Sequence, residues 1–204
     1  MKFRAILLAA AVLAIAVAWI QSTGRPPGIG NGEHHNVNSP NAVTGTVIFR
    51  GGYDTDERDH GRPVSLIAAA LGVDSQVFRQ AFSGVNPSRM GAPSPLLARA
   101  NKKTLMDALG RYGVSNERLD QVSDYYRYNG AAGETWQRSP ARATSIITDG
   151  KLAGFTITNP GAGYTVAPSV NVVGHDDVEV DVRIEFGSDL TTNGRVTSLS
   201  VLGK

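Results

Sequence analysis

Cysteine is absent from the 204-residue chain. That removes disulfides, thiol nucleophiles and thiolate metal sites together. A net charge of any size is also missing. The chain has 20 basic and 18 acidic residues, and removing Lys2 and Arg4 with a cleaved leader leaves 18 against 18. A neutral mature chain gives no global electrostatic case for nucleic acid or anionic lipid. Recognisable catalytic motifs are lacking too. There is no GxSxG elbow, no HExxH and no phosphate-binding Walker loop. Without disulfides, stability must come from the core alone, feasible for ~185 residues but marginal for a separate piece of ~60.

What is present starts with an address. Lys2 and Arg4 precede an uncharged run of sixteen residues, Ala5 to Ile20. Ala16-Val17-Ala18 fits a small-x-small cleavage signal. This predicts a secretory signal peptide over 1–18. The run is shorter than the ~20 residues of a usual transmembrane helix, and a retained membrane anchor reaching to about residue 21 is the alternative. Either way the protein is expected to be exported, periplasmic or extracellular, or tethered by this segment. Residues 19–42 are rich in Gly, Pro, Asn and Ser, without periodicity, and read as a disordered linker. His34-His35 lies inside it without a third ligand.

Residues 43–128 read as a short strand plus a four-helix unit. The strand is Val43 to Arg50. The acidic loop Asp54 to His60 follows, and Asp54, Asp56 and Asp59 could offer oxygens to a hard divalent cation such as calcium. The spacing departs from an EF-hand loop, because Ser65 stands where the twelfth-position Glu belongs. The same acids also suit a solvated turn before a helix start. Pro63 opens a helix with Val64, Ile67, Ala68 and Leu71 on one face, and Gly72 ends it. Asp74 caps a second helix carrying Val77, Phe78, Ala81 and Phe82, which Gly84 stops. Ser94-Pro95 starts a third, and Ser115 caps a fourth. Leu71-Gly72-Val73-Asp74 returns as Tyr112-Gly113-Val114-Ser115, 41 residues on, which predicts two packed helical hairpins. Glu117, Asp120 and Asp124 share a face of the fourth helix and would serve as acid and base only under a cleft. Residues 129–142 form a polar connector whose Trp136 is expected against the β module.

Residues 143–204 read as an antiparallel β module, so the fold class is α+β: a helical-hairpin unit followed by a β module. Asp149-Gly150 predicts a two-residue type I′ hairpin turn between Ser145–Thr148 and Leu152–Thr158. Val178 to Phe186 alternates apolar and charged residues, the pattern of a strand with one face on a core. Arg195 to Leu202 can return against it. Residues 149–157 recur in chemical type at 193–201, a period suited to a β repeat. His175-Asp176-Asp177 reads as a polar turn, and Tyr164 as packing over glycines.

Asn159-Pro160-Gly161-Ala162-Gly163-Tyr164-Thr165-Val166-Ala167-Pro168 resembles the GxGYTxxP β repeats of bacterial exported proteins and of phage tail and fibre proteins. The resemblance covers about 60 residues, one and a half copies, and implies a spacer or adhesive surface. RDHGRPVSLIAAALGV, VFRQAFSGV and GVSNERLDQVSDYYRY resemble an uncharacterised family of exported bacterial proteins, which implies no mechanism. Ile67 to Val77 resembles a helix-turn-helix DNA reader, but the following helix, DSQVFRQAF, has one Arg and two large aromatics. The expectation is therefore a non-catalytic binding or structural protein of the cell envelope, with an envelope or surface protein or polymer as partner. No nucleic acid is expected, and the membrane is met only through the N-terminal segment. No catalytic residue or cofactor is expected. The alternatives are a secreted enzyme centred on Asp54 to His60 and a DNA reader.

Overall fold

The computed structural model describes residues 45–86, 94–128 and 133–202. The leader, the linker and His34-His35 lie outside them. The chain is α+β, with four α-helices and six short antiparallel strands among the described residues, and it divides into a helical unit and a β unit. Among the described residues no helix is long and apolar enough to cross a membrane.

The helical unit spans residues 56–137. Helix α1 (Val64–Leu71) is its centre, and six of its eight residues are buried. Leu66 and Ala70 are buried as well as the expected stripe, so α1 is enclosed on more than one face. Gly72, at φ 71°, ends it through N–H bonds to Ala68 and Ala69 carbonyls. Helix α2 (Ser75–Ser83) begins with Asp74 accepting from Gln76 N at 2.7 Å. Helix α3 (Pro95–Leu109) begins with Ser94 accepting from Leu97 N, and it runs on into a 3₁₀ turn over Gly110–Tyr112. Gly113, at φ 85°, reverses the chain into helix α4 (Asn116–Tyr125), which Ser115 caps. The 41-residue echo is thus a recurring corner: a left-handed glycine, a valine, then a capping side chain. Arg118 of α4 donates twice to the Ala70 carbonyl, at 2.9 and 2.8 Å, covering the C-terminal end of α1. Phe78, Leu109, Leu119, Val122 and Tyr126 complete the core. Asn101 is buried, and its amide exchanges two hydrogen bonds with the backbone of Asn86. Trp136 belongs to this unit, where it is buried and stands edge-on to Tyr128.

The β unit holds residues 138–202 together with residues 45–55. Strand β1 (Val47–Arg50) pairs antiparallel with β4 (Ser169–Val172), with Val47 opposite Val172. This corrects the expected grouping of the first strand with the helices. The ladder partner that β1 needs lies over a hundred residues downstream, beyond any local signal. Strand β2 (Arg142–Thr148) pairs with β3 (Lys151–Asn159) across Asp149-Gly150. Both turn residues have positive φ, 51° and 73°, as a type I′ turn requires. Strand β5 (Val180–Glu185) pairs with β6 (Arg195–Val201). The three two-stranded ribbons contact one another in turn. Thr46 bridges Thr144, Val196 N donates to Pro160 O at 2.9 Å, and β4 lies beside β5. The resulting order, β1-β2-β3-β6-β5-β4, returns to β1.

Tyr164 lies inside this ring at 1% exposure, with Ala141 and Val196, and Phe49, Ile157, Val182, Ile184 and Leu199 pack around them. The Gly161-Ala162-Gly163-Tyr164-Thr165 segment is the crossing point. Gly161 passes so close to the 139–141 backbone that a Cβ there would sit 2.5 Å from Ser139 O and 2.7 Å from Ala141 N. Its φ is 65°, so Gly161→Ala adds left-handed strain to a clash with immovable backbone. We expect a loss of about 3 kcal/mol or more. Gly150→Ala is the control. Its φ is similar, 73°, but its Cβ would meet nothing within 4 Å, and about 1 kcal/mol is expected. Thermal melts of both variants check the difference.

Candidate functional site

The acidic loop is divided between the two units. Asp54 belongs to the β unit, where its carbonyl accepts from Thr165 Oγ1 at 2.6 Å. Asp56 and Asp59 belong to the helical unit. Asp56 caps the 3₁₀ turn Glu57–Asp59 by accepting from Arg58 N, and its carboxylate takes the Arg58 guanidinium at 2.9 and 2.6 Å. These Arg58 bonds hold its pKa well below the usual carboxylate range. Asp59 is 4% exposed, and Arg79 of α2 grips it bidentately at 2.8 and 2.7 Å. Arg79 also stands 3.8 Å from Asp56. Both carboxylates thus face guanidinium groups. Among the described residues, no group of three His, Asp or Glu side chains is placed to hold a metal ion.

The depressed pKa of Asp56 has a defined sign. Its folded value lies below its unfolded one, so it stabilises the fold above the unfolded carboxylate pKa of ~4. That contribution disappears as pH falls through the folded value. Melting curves of the native chain and Asp56→Asn should differ at neutral pH and converge in strong acid.

The acids of α4 are engaged as well. Lys102 Nζ stands 2.8 and 2.9 Å from the two oxygens of Asp120. Asp124 pairs with Arg127. Glu117 has its pKa lowered, first by its own backbone N–H and then by the Ser115 hydroxyl. His60 is exposed at φ 50°, closing the 3₁₀ turn, and His175 lies in the turn between β4 and β5. On α2, which the helix-turn-helix resemblance would make the reading helix, Phe78 is buried and Arg79 is held by Asp59.

Tyr164 is a structural side chain. Its hydroxyl accepts from Ala141 N at 2.9 Å, and its ring stacks on Tyr53 with centroids 4.8 Å apart. The glycine beneath it is Gly52, where a Cβ would lie 2.6 Å from the ring. Arg138 covers Tyr53 at 4.5 Å. Burial, then Tyr164, push the Tyr53 phenol above its ordinary pKa.

No family model, curated protein or solved structure matches this chain. The geometry therefore carries the reading.

An open groove of about 410 Å³ lies in the helical unit. Val77, Gln80 and Ala81 of α2 form one wall, and Thr104, Asp107 and Ala108 of α3 the other. Arg111 and Tyr112 of the following 3₁₀ turn close one end. Tyr112 is 46% exposed and has the Arg111 guanidinium 5.0 Å from its ring centre. Sequence reasoning named Val77 and Ala81 only as part of an apolar stripe and did not single out these residues as a site. Tyr112 was visible only as the apolar partner of a corner glycine, and its exposure follows from how α2 meets α3.

Proposed function

We propose that this chain is a non-catalytic binding or structural protein of the cell envelope, exported or held there by its N-terminal segment. One observation carries the reading. The acids that could have run chemistry are used as caps and ion-pair partners. Asp56, Asp59, Asp120 and Asp124 each meet a cation. The carboxyl groups whose pKa moves, Asp56, Glu117 and Asp189, all move down. A general acid needs the opposite shift, toward neutrality. The groove of α2 and α3 supports a binding role, and the glycine-braced β ring supports a scaffold role.

The test pairs a binding assay with an activity assay. The full chain should bind washed envelope fragments saturably. It should not turn over ester, glycoside or peptide substrates. Turnover that Asp56→Asn or Asp59→Asn abolishes, in a protein that still melts cooperatively, would replace this reading with the enzyme.

A further inference from the structure

We propose that the α2–α3 groove is a binding site for a neutral oligosaccharide chain. The inference rests on the envelope-binding reading and gives its ligand a chemical class.

The lining of the groove holds hydrogen-bonding capacity that is left unspent. Several long cations of the helical unit are occupied. Arg58 and Arg79 hold Asp56 and Asp59, Lys102 holds Asp120, Arg118 covers the Ala70 carbonyl, and Arg127 meets Asp124. Among the described residues Arg111 has no carboxylate partner, and its only contact of note is the face of Tyr112. The Gln80 side-chain amide, which is exposed, makes no hydrogen bond among the described residues. Asp107 offers one oxygen to Lys103 at 2.5 Å, which leaves the other.

These groups share a chemistry. An amide, a carboxylate and a guanidinium are all planar, and each presents two polar atoms side by side. Adjacent hydroxyls of a sugar ring match that spacing, with each hydroxyl both donating and accepting. Tyr112 adds an exposed aromatic face, which packs on the C–H face of a pyranose. Val77, Ala81 and Ala108 supply a small apolar floor. Asp107 and Arg111 carry opposite charges, so the lining is balanced and favours an uncharged ligand. The volume, about 410 Å³, falls in the ~300–1,000 Å³ range of small-ligand clefts. Its openness to solvent suits a chain that continues past the site.

The experiment titrates the full chain with cellotetraose and chitotetraose, followed by amide chemical shifts. Saturable shifts at Gln80, Asp107, Arg111 and Tyr112 are expected with at least one of them. Tyr112→Ala and Arg111→Ala should each weaken the affinity about tenfold. Both side chains are exposed, so the melting temperature should hold and certify the fold. Shifts that remain unaltered in both variants would overturn the proposal, as would silence with both sugars at millimolar concentration. Preferential binding of a short amphipathic peptide in the same groove would overturn it too. If the sugars fail while envelope fragments still bind, the groove assignment falls and the envelope reading stands. If both fail, the envelope reading falls with it.

Discussion

Tyr164→Ala is expected to cost the β unit about 3–5 kcal/mol, the range for deleting a buried aromatic side chain. The residue is 1% exposed and touches three distant parts of the chain. Its ring stacks on Tyr53, its hydroxyl receives Ala141 N–H, and its own N–H donates to Gly194 O at 3.1 Å. The first two contacts depend on the side chain. Tyr164→Phe keeps the stack and orphans only the buried Ala141 donor, so about 1–2 kcal/mol is expected. The ratio of the two losses separates packing from hydrogen bonding. Amide exchange in β2–β3 and β5–β6 measures it. Equal losses would mean that the hydroxyl, rather than the ring, holds the ring of ribbons together.

Asp59→Asn is expected to destabilise the helical unit by about 2–3 kcal/mol. Breaking a buried pair by removing one partner costs ~3–5 kcal/mol. The figure is reduced here because the Arg79 side chain is 25% exposed and Asp56 stands 3.8 Å away to receive it. Urea unfolding followed by amide exchange in α1 and α2 gives the number. Asp59→Asn combined with Arg79→Gln should recover part of the loss, because the second change removes the stranded charge. A double variant as unstable as the sum of its parts would show that the two residues act separately.

Local chemistry was the legible part of this sequence. Asp74, Ser94 and Ser115 cap the helices their spacing predicts, and Gly72 and Gly113 turn the corners in left-handed conformation. Asp149-Gly150 makes the predicted hairpin turn. Each of these rests on neighbours within a few residues. The pairings that escaped are long-range. Nothing near Val47 names Val172, nothing near Asp59 names Arg79, and Gly52 gives no sign that a ring will lie over it. The internal repeat was half informative. Residues 151–157 and 195–201 are both strands, β3 and β6. Their turns differ, because Asn193 is buried and its Oδ1 accepts from Gly187 N instead of adopting positive φ. The groove escaped altogether, since spacing along one helix does not reveal which neighbour leaves it open.

The ring order has a consequence in time. Strand β1 is made before the helices and finds its partner only after them. Arg50 and Ser169, joined by a side-chain bond, are 119 positions apart. During synthesis β1 must wait, its edge unpaired, while the entire helical unit emerges. The interval is a long-range closure, the slow kind of step in folding. The stacked pair of Tyr53 and Arg138 marks where the chain departs and where it comes back. The helices are therefore a nested insertion in the β unit. A shortened chain that joins Thr55 directly to Arg138 should keep its six strands and close faster.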